Sequence, residues 1–258
     1  MTHPYTYIDP NAKVAPNAKI DPFTVIHGDV QIGEGTWIGS NVTIMDGTRI
    51  GKNCRIFPGA VLGAVPQDLK FEGEETTVEI GDRTVIRECV TIHRATKDRW
   101  KTIIGNDCLL MTYVHIAHDC HIGNNVILAS YVGLSGHVTI QDHAILEGMV
   151  AAQQFVTVGA HAFVGGASLI RKNIPPFIKC AREPLTFAGV NSIGLRRRGF
   201  SDDEVREIEN IYRVLYVQNN NMTKGIEQVR ETMPESPLQV QILNFIESSD
   251  KGVIKGMI

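Results

Sequence analysis

Residues 104–128, IGNDCLLMTYVHIAHDCHIGNNVIL, carry an Ile or Leu at every sixth position. Upstream the same register runs through Ile8, Val14, Ile20, Ile26, Ile32, Ile38, Ile44, Ile50, Ile56 and Leu62, then resumes at Ile80, Ile86 and Ile92. Downstream it continues through Leu134, Ile140, Leu146, Ala152, Val158 and Val164 to Ile170. Twenty-four of these 25 sites are Ile, Leu or Val. A period of six is neither the helical 3.6 nor a long alternation of two. Four residues after the apolar site stands a small or β-branched side chain, as at Ala18, Thr24, Val30, Cys54, Val126 and Val138. Gly often follows the site directly, as at Gly33, Gly51, Gly105 and Gly123, and Asn41, Asn53, Asn106, Asn124 and Asn125 fall at the turns. The pattern suits a short strand and a tight turn, with Asn and Gly supplying left-handed backbone angles. Hexapeptide repeats of this kind predict a parallel β-helix whose Ile/Leu/Val columns form one continuous core. Three hexads would make an 18-residue coil, although neither that number nor the hand follows from the period alone.

Two stretches interrupt the register. Residues 63–78 put Asp68 and Glu74 where apolar side chains would fall, and residues 94–103 put Asp98 there. Both read as insertions, either tolerated loops or the walls of a binding site held by a rigid scaffold. After Pro175-Pro176 the repeat stops. Ser201 to Glu204 form a capping box ahead of Val205, Ile208, Tyr212 and Leu215 at helical spacing. Ser236-Pro237 opens a further helix, with Val240, Leu243 and Phe245 as its expected apolar contacts. The division expected is a β-helix over residues 1–183 and a small helical domain over residues 184–258.

Composition narrows the function. The chain has 258 residues and a formal net charge of -3, so bulk attraction to nucleic acid or anionic lipid is not its theme. No apolar run reaches the roughly 18–20 residues that span a bilayer. The start, Met1 to Tyr5, lacks a basic segment and an apolar segment, which argues against a secretory signal. Five cysteines are too few for a disulfide scaffold. Cys54, Cys108 and Cys120 occupy small inward repeat positions and read as packing residues. A cytoplasmic enzyme fits these limits.

Candidate chemistry centres on histidine. His115, His118 and His121 lie within seven residues, Asp119 adjoins them, and His137 follows. Because Ile116 and Cys120 point inward, His115 and His118 belong at turns or on outer faces, where a histidine is more often solvated than catalytic. An imidazole can nevertheless act as a general base near neutral pH, and a carboxylate bonded to one ring nitrogen aims the other. A metal reading competes, with His93, His115, His118 and His137 as ligands. No nucleophile elbow or Gly-rich phosphate loop is present, which favours direct transfer. Arg196 to Arg198 are either a solvated helix end or a diphosphate clamp.

Several stretches together resemble the UDP-N-acetylglucosamine acyltransferase family: QDLK at 67–70, VEIGDR at 78–83, VTIHR at 90–94, HIAHDC at 115–120, SGH at 135–137, Gln154-Phe155, VGG at 164–166 and GLRRRGF at 194–200. The resemblance implies a left-handed parallel β-helix and a homotrimer with active sites between subunits. It implies transfer of an (R)-3-hydroxyacyl chain from acyl carrier protein to the 3-hydroxyl of UDP-N-acetylglucosamine, the first step of lipid A biosynthesis, with no cofactor and no metal. His118 matches the family's general base, Asp119 its orienting carboxylate, and the Gly136 N–H the oxyanion donor. Gln67, Asp68, Lys70, His93, His115, Gln154, Asn191, Arg197 and Arg198 match sugar-nucleotide or pantetheine contacts, and His137 lines the acyl and thioester region. Gly166 matches the position that measures acyl length, where Gly leaves room for a long chain. Gln153 and Ile193 depart from the pattern, standing where a histidine and a glutamate are often found.

The rivals are the related N-acyltransferase, which usually carries an extra N-terminal domain, a zinc-dependent hexapeptide hydratase, and a scaffold that binds the carrier without turnover. The repeat begins by Ile8, which argues against the first.

Overall fold

A computed structural model describes residues 4–256; Met1 to His3 of the stretch read for a signal, and residues 257–258, lie outside it. The hexads build a left-handed parallel β-helix with three faces. Face A runs from the strand Tyr7–Ile8 to Leu169–Ile170 and has nine strands. Face B runs from Lys13–Val14 to Thr157–Val158 and has eight. Face C runs from Lys19–Ile20 to Ile178–Ala181 and closes with Thr186–Val190. Along most of the column one coil takes 18 residues, as in the pairing of His115 with Gly133 and of Gly133 with Ala151. Backbone ladders between coils satisfy the peptide groups, so each two-residue strand is stable only as part of the stack.

The apolar column is the core. Ile20 to Ile170 of the register are buried, whereas Ile8 and Val14 in the first coil are half-buried. Cys54, Cys108 and Cys120 are buried free thiols that fill the small inward positions.

The turn chemistry differs from the expectation in two ways. Left-handed angles fall at Asn41, Asn53 and Asn125, but also at Tyr113, Asp119, Tyr131, His137, His143, Phe155 and His161; Asn106 and Asn124 are not among them. These large side chains stack coil on coil, as do Tyr113 and Tyr131 at 5.1 Å and His143 and His161 at 4.7 Å. None of the described left-handed residues is Val, Ile or Thr, the types for which that region is most costly. Asn106 and Asn124 instead form a carbonyl ladder: Asp82 N–H donates to Asn106 Oδ1 at 2.7 Å, and Asn106 N–H to Asn124 Oδ1 at 2.9 Å. The glycines after the apolar site serve close approach. A Cβ on Gly105 would stand 2.5 Å from the Gly123 carbonyl oxygen of the next coil.

The insertions are shorter than the interruptions in the register. Strands Val61–Ala64, Thr77–Ile80 and Lys101–Ile104 absorb their ends, which leaves loops 65–76 and 94–100. Both loops leave the column between face A and face B, at the A/B corner.

The boundary expected at 183/184 falls inside a hairpin, because Thr186–Val190 pairs antiparallel with Ile178–Ala181. Among the described residues four α-helices follow, α1 (Ser192–Arg197), α2 (Asp202–Arg213), α3 (Met222–Thr232) and α4 (Pro237–Glu247), with a π-helical turn at Val214–Gln218 extending α2. The capping box at Ser201 and Glu204 is formed, and Val205, Ile208, Tyr212 and Leu215 are buried. Tyr212 is fully enclosed and donates to the Pro176 carbonyl at 2.6 Å, fastening α2 to the end of the column. In α4 the buried face is Ile242, Leu243 and Ile246; Val240 is 39 % exposed and Phe245 is half-buried. Among the described residues, no helix is long and apolar enough to cross a membrane.

Candidate active site

The A/B corner gathers ten of the fourteen candidate residues. His118 and Asp119 occupy the turn between His115–Ile116 and His121–Ile122. Gly136 and His137 lie one coil above them, and Gln154 two coils above. Loop 65–76 brings Gln67, Asp68 and Lys70, and His93 ends the strand Thr91–His93 beside the corner. The other four lie elsewhere. Gly166 is at the C/A corner, which bounds the far edge of face A. Asn191 and Arg198 sit at the B/C corner, where Asn191 Nδ2 donates to the His161 carbonyl at 3.0 Å, and Arg197 adjoins them at the end of α1.

His118 is not a solvated corner side chain. It is 5 % exposed, yet it lies outside the column, enclosed by the loops that the interruptions create. Its Nδ1 is 2.8 Å from Asp119 Oδ2, and its Nε2 is 3.9 Å from Asp68 Oδ2. The ring rests against Gly136, where an added Cβ would come within 2.6 Å of Nε2. The Gly136 N–H donates to no acceptor among the described residues.

Asp119 is held from several sides. Thr96 N–H donates to both of its oxygens at 3.2 Å, Thr96 Oγ1 donates to Oδ2 at 2.7 Å, and Arg99 N–H donates to Oδ1 at 3.1 Å. Burial alone would raise its pKa, but the bonds from His118, Thr96 and Arg99 outweigh that and hold it below the usual carboxylate value. The carboxylate is therefore ionised and fixed, so His118 Nδ1 faces it as donor and Nε2 lies on the other side of the ring, toward Asp68 and Gly136. Thr96 and Arg99 escaped sequence reading. Their only signal is their place in the second interruption.

The neighbouring imidazoles are kept neutral. Burial first, and then the closeness of the His115 and His118 rings, pushes His93 down to about 4. Burial also lowers His115 and His137. The His93 and His115 rings meet edge to face at 5.0 Å, and His115 Nδ1 shares a 2.8 Å hydrogen bond with Thr91 Oγ1. His137 stacks on Phe155 at 4.4 Å, and its Nδ1 lies 3.1 Å from Asp98 Oδ2 without the alignment of a hydrogen bond.

Among the described residues one group could hold a metal ion: His118, Asp119 and His137, with ligand atoms within 4.8 Å of one another. His93 and His115 do not join it. The Asp119 oxygens already accept from four protein donors, the Thr96 and Arg99 N–H groups, the Thr96 hydroxyl and the His118 ring, so a cation would have to displace donors that fit a bare carboxylate. The donor set suits an oriented imidazole better than a metal ligand.

Between the two corners of face A the outward positions are His115, Gly133, Ala151 and Leu169. A Cβ on Gly133 would meet nothing within 4 Å. These residues leave a shallow apolar track from the His118 corner toward Gly166.

Comparisons with known proteins bear on this geometry. The family model described as UDP-N-acetylglucosamine O-acyltransferase, domain 2, matches residues 173–254, and the bacterial transferase hexapeptide model matches residues 29–64 and 101–136. A relative from Sulfurihydrogenibium sp. (strain YO3AOP1), named acyl-(acyl-carrier-protein)–UDP-N-acetylglucosamine O-acyltransferase, is 51% identical over 97% of this chain and 93% of its own. One of the same name from Thermodesulfovibrio yellowstonii is 41% identical over 98% of both chains. The crystal structure of a UDP-N-acetylglucosamine acyltransferase from Bacteroides fragilis 9343 superposes with a TM-score of 0.96 at 44% identity, covering 99% of this chain and 100% of that one.

Proposed function

Because the chain belongs to the UDP-N-acetylglucosamine O-acyltransferase family, we propose that its A/B corner is the site of acyl transfer, with His118 as general base. The enzyme moves an acyl chain from acyl carrier protein to UDP-N-acetylglucosamine. Our reading of the step is an (R)-3-hydroxyacyl thioester attacked by the sugar 3-hydroxyl, at the start of lipid A assembly in the cytoplasm.

His118 Nε2 accepts the hydroxyl proton as the oxygen attacks the thioester carbonyl, and Asp119 stabilises the imidazolium that forms. The Gly136 N–H donates to the carbonyl oxygen as it gains negative charge. When the tetrahedral adduct collapses, the C–S bond breaks and the proton passes from His118 to the departing sulfur. No covalent enzyme intermediate is needed, because the thioester is already activated. Asp68 and Lys70 on the loop, with Gln67, His93, His115, His137 and Gln154 around the corner, orient the sugar and the pantetheine thioester. The acyl chain lies along the Gly133–Ala151 track toward Gly166. One observation carries the reading: a fixed His118–Asp119 pair packed against a glycine whose N–H is free.

Asn191, Arg197 and Arg198 recognise the nucleotide, yet they stand across face B from His118. Arg198 Nη1 is buried without a hydrogen-bond partner among the described residues. This separation supports a homotrimer in which the B/C corner of one subunit faces the A/B corner of the next.

The test is product mass from UDP-N-acetylglucosamine and a ladder of 3-hydroxyacyl carrier proteins. His118→Ala should keep fold and trimer while lowering kcat at least about 10²-fold; retention of more than about a tenth sinks the base assignment.

A further inference from the structure

The last coil, the terminal hairpin and the tail of the chain enclose a second cavity of about 330 Å³. Leu169, Leu185 and Ile254 supply its apolar lining, and Arg171, Lys172 and Lys255 rim it. Leu169 is 39 % exposed although it sits on a sheet face. Arg171 is bonded to Glu183 at 2.7 Å, but neither Lys172 nor Lys255 is in an ion pair among the described residues. Lys251 extends the positive charge toward the active site, with Nζ 5.5 Å from the Phe155 ring that stacks on His137. Glu183 is paired with Arg171 and Asp250 adjoins Lys251 in the chain, against the four cations Arg171, Lys172, Lys251 and Lys255, so the edge carries a positive excess on a chain whose net charge is -3.

Its height on the column is the second observation. Ile116 pairs with Leu134, Leu134 with Ala152, and Ala152 with Ile170. Arg171 and Lys172 thus lie three coils above His118 on the same corner, about 14 Å away at ordinary strand spacing. A carrier protein presents its thioester at the tip of a long flexible arm. It must therefore dock at a distance from the base, along the line the arm will follow.

We propose that this basic-rimmed cavity is the docking surface for acyl carrier protein, an acidic partner. An apolar contact of the carrier enters between Leu169 and Leu185, and its carboxylates meet Lys172, Lys255 and Lys251. Opposite charge steers the encounter, and the small apolar centre gives it register. The arm then descends past Phe155 and His137 to His118. The proposal rests on the donor being the carrier thioester, and the test separates the two.

The enzyme is assayed at fixed UDP-N-acetylglucosamine with two donors, the acyl carrier protein and the same acyl chain on pantetheine alone. The Lys172→Glu/Lys255→Glu variant should raise KM for the carrier donor about tenfold or more at low salt, with the gap narrowing as salt rises. Its kcat/KM for the pantetheine donor should stay at the wild-type value. An unchanged carrier KM overturns the docking site, as does an equal loss with both donors. A change in sedimentation of the variant would also overturn it, by showing that the surface joins copies of this chain. If wild-type enzyme turns over neither donor, the proposed function itself fails, a result distinct from turnover that ignores the charge reversal.

Discussion

The ring of His118 packs directly against Gly136: a methyl group on Gly136 would come within 2.5 Å of His118 Cε1 and 2.6 Å of Nε2. The proposed base and the proposed oxyanion donor are thus one packing unit, and a side chain on Gly136 cannot be added without moving the ring. Gly136→Ala should lower kcat about 10²-fold or more, at a stability cost of about 1–3 kcal/mol from overpacking. Steady-state kinetics alongside thermal unfolding checks this. The substitution keeps the N–H donor, so a variant with normal kcat would show that the position of the ring does not depend on the open space at Gly136.

Asp119 accepts from two backbone N–H groups, one hydroxyl and one imidazole. Asp119→Asn offers only one acceptor oxygen, so its amide N–H must face a donor. The expected result is a fall in kcat of about 10²–10⁴ with about 1–3 kcal/mol of lost stability. Denaturant unfolding and single-turnover rates measure the two separately. A kcat within about threefold of wild type would show that the carboxylate does not orient the base.

A Cβ on Gly166 would lie 3.2 Å from the Gly148 carbonyl oxygen and 3.8 Å from Glu147 Cβ, and the residue is exposed. Gly166→Met should therefore fold normally and project over the end of face A. Competition among 3-hydroxyacyl donors, read by mass, should shift toward shorter chains. An unchanged chain-length profile would move the acyl track elsewhere.

His161 is packed between His143 at 4.7 Å and Phe177 at 5.6 Å, with its Nδ1 buried and unpartnered. Burial first, then the charges of His143 and Arg198, push its pKa down from 6.5 to about 4. The unfolded chain binds this proton near 6.5 and the folded chain only near 4, so folding loses stability as pH falls through that window. His161→Phe removes the site and its orphaned nitrogen. Its Tm should fall less between pH 6.5 and 4 than that of wild type, by roughly 2–5 °C. Parallel acid-dependence in both proteins would contradict this.

If nucleotide and base residues come from different subunits, His118→Ala and Arg198→Ala should complement each other. Refolding an equal mixture should restore roughly a quarter of the sites, read as activity at limiting UDP-N-acetylglucosamine. Mixtures no more active than their components would place both residues in one subunit's site.

The column was legible in the sequence because its cause is one-dimensional. Ile104, Leu110 and Ile116 repeat because each must meet its counterpart in the next coil. The turns were less legible. A Tyr or His at a left-handed angle is stabilised by stacking on its neighbour 18 residues away, a contact invisible to local propensity. The enclosure of His118 was also hidden, since the roof comes from Asp68 and Thr96, whose loops break the very pattern that locates the base. In α4, spacing alone could not distinguish Val240 from Ile242, because the buried face is chosen by α2 and α3.

The strand Thr186–Val190 pairs antiparallel with Ile178–Ala181, whereas the described strand pairs of the coils below are parallel. A growing stack templates its next rung from the exposed edge of the last. Here the last strand is reversed and its outer side is already bridged by Lys255, so a second rod laid end to end finds no matching register on face C. The reversal, together with the helices fastened over it by Tyr212, acts as a terminator against fibre-like polymerisation at that end.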